Sequence, residues 1–424
     1  MKKFPYYYLF FYLSAMMVLS SCNNESDIPN VKNEEPAQYT IKLSAPQKKV
    51  LSQSNDFAFD VLKAVNNENA NAFISPYSLG QALAMIANGA NGTTLEEIAA
   101  VLKIGNEISI DDINSYYATM NKALTNIKCS SRLAFANSLW VNKDFDGTIL
   151  DSYKKNMQSS YDAMVDVLDF ADSKSPDIIN SWSKKQTNGL IPVIIKNLPI
   201  DNTPNAILLN SLYFKGLWNY FPKDNTYSDN FRNQYDRNEK VEMMKSNKCN
   251  LTGFVTDEEL MVEFNYGGEA FQMQIIMPKK EKINNYIQNL NGTKYAEMLS
   301  EMTNSKSIVA MPKFKSNYSY DLKNSLSKMG INTAFSEYAD FGKISTKKEF
   351  KITKALQNTT IEVNEDGSVA SSTTRIDGGI DTSTGELPEE FIIDHPFIYL
   401  IRERQTGAIL FIGKVQSMEG MQNK

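Results

Sequence analysis

Histidine is almost missing from this chain: His395 is the only one in 424 residues, and cysteine occurs three times, at positions 22, 129 and 249. No Cys-x-x-Cys or His-x-x-x-His spacing is available, so no zinc-type centre is expected, and a catalytic triad would have to rest on one imidazole. A disulfide framework is equally unsupported, because one remaining cysteine pair is optional in a domain this large. Glycine-rich phosphate loops are absent. Ser152-Tyr-Lys-Lys155, Ser181-Trp-Ser-Lys184 and Ser325-Leu-Ser-Lys328 fit Ser-x-x-Lys, but the accompanying Lys-Thr-Gly element is missing. The net charge of −5, the pI near 5.3 and the lack of a dense Lys/Arg run with interleaved aromatics argue against a nucleic-acid partner. No cofactor and no metal are implied.

What is present begins with processing information. Lys2 and Lys3 precede an apolar and aromatic run, Leu9 to Leu19, too short to span a bilayer stably, and Leu19-Ser20-Ser21-Cys22 closes it with small residues. This resembles a bacterial lipobox, which implies cleavage before Cys22 and a lipid on that cysteine. Residues 23–46, rich in Asn, Glu, Lys and Pro, are expected to form a flexible polar tether. The acidic run Asn23 to Asp27 resembles surface-export signals of some Gram-negative lipoproteins. The expected location is therefore the outer membrane of a Gram-negative bacterium, on the cell surface or the periplasmic side.

From residue 47 to 418 the chain reads as one domain, with 419–424 as a tail. At 42% hydrophobic and 11% aromatic it can bury a large core. Amphipathic helices are expected at Asn55–Asn66, Ser78–Ala90 and, capped by Thr94, Thr93–Leu102. Ala206–Phe214, Phe271–Met277, Ser307–Phe314 and Phe397–Val415 have the β-branched and aromatic character of strands. Helices crowd the first half and strands the second, which predicts an α+β domain with large, mainly antiparallel sheets.

The segment Glu362–Ile380 combines two patterns. Every second residue after Gly367 (Ser368, Ala370, Ser372, Thr374, Ile376, Gly378, Ile380) is small or apolar and uncharged, while Arg375, Asp377 and Asp381 fall on the other series. That is the alternation of a strand with one buried face. The composition, dominated by Ser, Thr and Gly, is nevertheless that of a loop. Such a segment could be solvated in one state and a strand in another.

Motifs in a fixed order run through about 370 residues of the chain. They are Asn71-Ala-Phe-Ile-Ser-Pro-Tyr-Ser-Leu79, Ala134-Phe-Ala-Asn-Ser-Leu-Trp140, Ile179-Asn-Ser-Trp182 with Thr187-Asn-Gly189, and Leu209-Asn-Ser-Leu-Tyr-Phe-Lys-Gly-Leu-Trp218. Met311-Pro-Lys-Phe314, Met329-Gly-Ile331, Ala339-Asp-Phe341, and Asp394-His-Pro-Phe397 to Gly413-Lys-Val415 complete the series. Together they resemble the serpins.

The resemblance implies a single serpin-like domain whose reactive-centre loop spans about residues 366–391, and a suicide inhibitor of serine proteases, with cysteine proteases as a second target class. The protease attacks the loop, an acyl-enzyme forms, and the cut loop inserts into the central sheet. Glu365, Gly367, Ser368, Ala370, Ser372 and Thr374 match the hinge, and their uncharged inward series would let the strand enter without burying an ion. Family spacing, fourteen residues beyond Gly367, gives Asp381-Thr382 as the reactive bond, with Ile380 as the alternative. An acidic residue there implies an Asp- or Glu-preferring protease, Ile380 an elastase-like or subtilisin-like one, and cleavage at Arg375 simple degradation. Ser75, Ser78, Asn210 and Gln357 are the candidate shutter beneath the sheet, with Trp218 at its mouth. Gln357 stands where many members have His, and its amide could bridge Ser78 and Asn210. The implied partners are target proteases and, through the lipid, a membrane. The acidic stretch Asp111–Asn121 offers no heparin-type site, and a monomer is expected. The alternative is a non-inhibitory member acting as a binding or chaperone-like protein.

Overall fold

The computed structural model describes residues 34–105, 107–196, 205–367 and 387–421. Cys22 and the loop positions Ser368, Ala370, Ser372, Thr374, Ile380, Asp381 and Thr382 lie outside them.

The helices are α1 (Ala45–Val65), α2 (Pro76–Gly89), α3 (Gly92–Leu102), α4 (Ile110–Asn126), α5 (Asp151–Tyr161), α6 (Ser175–Gln186), α7 (Ile283–Asn289), α8 (Gly292–Glu301) and α9 (Lys323–Lys328). The first strands are β1 (Ala72–Ile74), β2 (Arg132–Asn142), β3 (Met164–Leu168), β4 (Ala206–Lys215), β5 (Tyr227–Arg232), β6 (Asn238–Lys245), β7 (Cys249–Val255) and β8 (Glu259–Asn265). They are followed by β9 (Phe271–Pro278), β10 (Thr303–Pro312), β11 (Phe314–Asp321), β12 (Ile352–Val363), β13 (Glu390–Ile392), β14 (Phe397–Glu403) and β15 (Ile409–Val415). The expected α+β class, helix-rich early and strand-rich late, is the class observed.

Two sheets form the body. The larger runs β1-β15-β14-β9-β8-β7-β10-β6-β5, with β13 added against β10. The five-stranded sheet has the order β11-β12-β4-β2-β3, antiparallel at β11/β12 and β4/β2 and parallel at β12/β4 and β2/β3. Helix α2 lies against β4 and β15 and is buried all round, every residue except Asn88 being inaccessible. A helix without a charged residue, whose buried Ser78 and Gln81 find partners inside, can sit within the body; its Gly80, Ala82, Ala84 and Ala87 keep it slim enough to lie beneath a sheet. On the opposite face of β2 and β4, α6 and the chain after it hold a second core, built from Trp140, Ile179, Ile191, Ile194, Ile195 and Leu209.

Several boundaries differ from the sequence expectation for local physical reasons. Helix α1 starts ten residues early, because Ser44 and Gln47 form a reciprocal capping box at its head. Thr94 does not cap α3: Asn91 holds the cap position, and the Thr94 hydroxyl accepts from Asp340 N at 2.9 Å instead. The expected strands at 307–314 and 397–415 are each two strands, parted at Lys313 and by the turn 404–408.

The expected tether 23–46 is not free along its length. Ala37 N donates to Gly268 O at 2.8 Å, Ile41 N to Gln405 Oε1 at 3.1 Å, and Tyr39 O accepts from Gln405 at 2.6 Å. The alternating Ala37, Tyr39, Ile41 and Leu43 pack on the core, so residues 34–44 form an extended strap on the body. The expected tail is also partly anchored, since Met421 is buried and its carbonyl accepts from Lys315 N at 2.8 Å.

Candidate functional site

The parallel ladder between β12 and β4 covers only part of both strands. It runs from Ile352↔Ala206 to Asn358↔Ser211 and stops there. Beyond that level β4 continues with β2 as far as Lys215↔Arg132, and β12 continues with β11 as far as Phe314↔Val363. Leu212–Lys215 and Thr359–Val363 therefore flank a wedge with no ladder across it among the described residues. Over the paired part the two strands are direct neighbours, with no strand between them.

Beneath the paired part lies a connected set of amides and hydroxyls. Gln357, fully buried, accepts from Ser75 N at 2.8 Å and donates to Ser75 O at 3.1 Å and Asn210 Oδ1 at 2.9 Å. Ser78 Oγ donates to the same Asn210 oxygen at 2.5 Å, and Ser75 Oγ donates to Leu410 O at 2.8 Å while capping α2. All four sequence candidates thus meet. The connection differs in one respect: Gln357 joins Ser75 to Asn210, and Ser78 reaches Asn210 without it. Ser78 sits one helical turn past the N-cap, so the Ser75 backbone is the part of α2 that faces β12.

Sequence reading missed the continuation. Asn210 Nδ2 donates to Asn137 Oδ1, Asn137 Nδ2 to Gln81 Oε1 at 3.1 Å, and Asn121 Nδ2 to the same Gln81 oxygen at 2.7 Å. Thr359 Oγ1 donates to Phe73 O at 2.8 Å. Asn137 stood inside the motif Ala134–Trp140, and the signal that finds it is register: Asn137 pairs directly with Asn210, so both side chains share a face.

At the open end of the wedge the chain leaving β12 is fastened. Asn364 and Gly367 exchange backbone hydrogen bonds at 2.9 and 3.1 Å, and Gly367 forms a bridge with Leu217. Gly367 has φ +101°, and a Cβ there would lie 2.5 Å from Gly216 O and 2.6 Å from Trp218 N. Both the backbone angle and the space demand glycine. Trp218 is buried, stacks on Tyr266 with centroids 5.4 Å apart, and its Nε1 donates to Asn364 O at 3.0 Å.

Glu365 accepts from Thr226 Oγ1 at 2.6 Å and pairs with Lys313 Nζ at 2.8 Å. Burial pushes its carboxyl upward, but the Lys313 and Thr226 hydrogen bonds outweigh that and hold it below the usual carboxylate range. Asp366 pairs with Lys223 at 2.8 Å. The hinge candidates Glu365 and Gly367 are therefore clamped where the two strands part; the other hinge and reactive-bond candidates lie outside the described residues.

The remaining candidates fall elsewhere. His395 Nε2 lies 3.1 Å from Pro278 O and Nδ1 2.8 Å from Asp394 Oδ1, a site among loops rather than a triad. Ser152, Ser181 and Ser325 lie on α5, α6 and α9. Cys129 and Cys249 are free thiols, and no cluster of His, Cys, Asp and Glu fit for a metal occurs among the described residues.

The family model described as serpin (serine protease inhibitor) matches residues 52–418. The human leukocyte elastase inhibitor is 32% identical over 384 residues, covering 87% of this chain and 99% of that protein. A serpin-like protein of Methanosarcina acetivorans is 28% identical over 422 residues, covering 97% of this chain and 98% of its own. Among solved structures, the native state of the thermophilic serpin tengpin superposes with a TM-score of 0.76 at 28% identity, covering 91% of this chain and 97% of that one.

Proposed function

This chain belongs to the serpin family, whose members include protease inhibitors, and we propose that it is a suicide inhibitor of serine endopeptidases. The observation that carries the reading is the half-length ladder between β4 and β12, with the start of the reactive loop clamped at its open end. The protease serine attacks the scissile carbonyl, an ester to the loop forms, and the amine of the downstream residue leaves. Released at its far end, the segment after Gly367 enters the wedge and continues down the seam as a new strand, carrying the enzyme with it. Serpin loop insertion is itself a standard example of strand addition and of strain release.

The wedge supplies the starting point, because the inner edges of Leu212–Lys215 and Thr359–Val363 are not committed to each other. Ser368, Ala370, Ser372 and Thr374 are small and uncharged enough to point into the core once inserted. The scissile bond is Asp381-Thr382 by family spacing, or Ile380-Asp381. The relatives named as leukocyte elastase inhibitors favour the second and an elastase-like target. The protein works as a monomer, anchored through lipid on Cys22 to the outer membrane of a Gram-negative cell. The lipobox-like Leu19–Cys22 supports that placement.

Incubation with an elastase should give a complex that survives SDS, together with a C-terminal fragment whose first residue defines the bond. Cleavage without a stable complex across a broad panel of serine proteases would refute the inhibitory reading. For the anchor, Cys22→Ala should move the protein from the membrane fraction to the soluble one, and unchanged fractionation would remove the lipid.

A further inference from the structure

The closed and the parted stretches of the β4/β12 pair keep one register. Gln357 is level with Asn210 and Asn358 with Ser211, and counting seven residues up each chain from the first pair reaches Asn364 and Leu217. These two do not meet. Gly367 stands between them, bridged antiparallel to both, so chains that are neighbours about 4.8 Å apart lower down lie about 9.6 Å apart here with a third chain in the gap. Neither strand has slipped. The seam is open by one strand's width at its head, and Gly367 occupies the place of a new strand's first residue.

The chain reaches that place through a built turn. Asn364-Glu365-Asp366-Gly367 has Asn in the first place and Gly in the fourth, the sequence of a type I turn. Within it only Gly367 takes a positive φ, +101°, as in hairpins that follow such a turn with a left-handed residue. Asn364 Oδ1 accepts from Asp366 N at 3.0 Å, closing an Asx turn inside it. On the side of β4, Trp218 N donates to Asp366 O at 3.3 Å. The Asp366 carboxylate is buried: Oδ2 meets Lys223 Nζ at 2.8 Å, while Oδ1 has no partner among the described residues. Lys223, exposed on the turn after Pro222, is thus the ion partner that keeps this carboxylate inside. Without it, a buried carboxylate would move to water and take the turn along.

We propose that the Asn364–Gly367 turn is the ready-made first rung of the strand that enters the seam, and that Asn364, Asp366 and Lys223 are positioning residues that set how fast the cut loop follows it. This rests on the inhibitory function proposed above. A strand ordinarily begins only after the chain has been reversed and held, at an entropic cost; here the intact fold carries that cost. The rate matters because insertion competes with deacylation. In that step water adds to the acyl ester, the protease serine leaves with its hydroxyl restored, and the loop keeps a free carboxylate. A slow rung gives cleaved inhibitor and free enzyme; a fast one gives the trapped complex.

The test uses the full chain and excess elastase, with two readouts: the rate at which cut protein gains heat resistance, and the inhibitor consumed per SDS-stable complex. Asn364→Ala removes the Asx hydrogen bond and should slow the gain about fivefold, the scale of one such bond, and raise consumption in step. Asn364→Asp, which keeps an acceptor, should restore both. Lys223→Ala should act in the same direction and Lys223→Arg should restore it; this pair keeps the test available should the Asn364 variants not fold, because Lys223 is exposed. Parent-like rates in Asn364→Ala and Lys223→Ala, or slowing that neither Asp nor Arg restores, overturn the turn's role while leaving the inhibitory reading intact. Insertion that slows as described in a chain that forms no complex supports the rung and refutes the inhibitor. A parent chain that is cut and gains no heat resistance overturns both.

Discussion

Replacing Gln357 by Ala tests whether the buried amide holds the seam or only fills the core. Three hydrogen bonds disappear: from Ser75 N, to Ser75 O and to Asn210 Oδ1. Their consequences differ. Ser75 O still accepts from Leu79 N at 3.0 Å, and Asn210 Oδ1 keeps Ser78 Oγ. Ser75 N loses its acceptor in a fully buried place. One orphaned donor costs about 1–3 kcal/mol and each of the other two bonds about 1 kcal/mol, so the intact protein should lose about 4 kcal/mol. Most of that is a core effect. The seam-specific part is the bond to Asn210, because inserting a strand moves β4 and β12 from about 4.8 Å to about 9.6 Å apart and must break it in any case. About 1 kcal/mol of resistance to opening should vanish, quickening conversion of intact protein to the loop-inserted form about fivefold. The assay is a double-mutant cycle of Gln357→Ala and Asn210→Ala, read both as denaturant midpoint and as the rate of that conversion. A coupling near zero, or an unchanged rate beside a lowered midpoint, would show Gln357 to be a core residue and refute its seam role.

Further expectations follow from the clamp and the loop. Because the Glu365 carboxyl is depressed in the folded state, its contribution is complete above the ordinary glutamate value of about 4.3 and is lost as pH falls below that. Glu365→Gln should therefore show at neutral pH the faster proteolysis near Gly367 that the parent chain shows only in acid; identical rates at pH 7 would contradict the clamp. Ala370→Glu should bury a charge on insertion, at several kcal/mol, and turn an inhibitor into a substrate: cleaved protein accumulates while the SDS-stable complex disappears, with the intact melting temperature unchanged. Gly367→Ala meets both a positive φ and contacts near 2.5 Å, so it should loosen the hinge from Leu217 and raise the protease sensitivity of the loop. Gln357→His should introduce a pH dependence of loop insertion between about pH 5 and 8, where the parent seam of amides and hydroxyls carries nothing that titrates; a flat profile in the variant would place that residue outside the opening step.

How much of this was legible in sequence depends on whether the cause is local. The alternation after Gly367 and the helical periods are properties of neighbouring residues, and the fold class follows from them; the four seam residues came instead from what the ordered motifs resemble. Where the cause is register, sequence reading fell short. Nothing in Ala134–Trp140 taken alone shows that Asn137 faces Asn210, nor that Lys313 and Thr226 reach Glu365, since those contacts join segments 50 to 140 residues apart. Glu403 was silent for the same reason: the Tyr39 hydroxyl and the Gln405 and Thr406 amides all donate to its buried carboxylate, so the polar stretch before α1 is bound where composition alone reads a tether.

On the proposed insertion mechanism, the same contrast accounts for the opening of the seam. In an ordinary parallel pair the ladder would continue to both strand ends, and separating the strands would expose every backbone group along them. Here the ladder ends at Ser211 and Asn358, and what lies beneath it is a few neutral hydrogen bonds that exchange partners at modest cost, not an ion pair whose separation would strand a charge. The neutral, small-residue series after Gly367 can replace the lost ladder bond for bond without bringing a charge inside. On that mechanism weakness at the seam and chemical fit in the loop act together, so a substitution that extended the β4/β12 pairing toward Lys215 should stabilise the intact protein and slow insertion together.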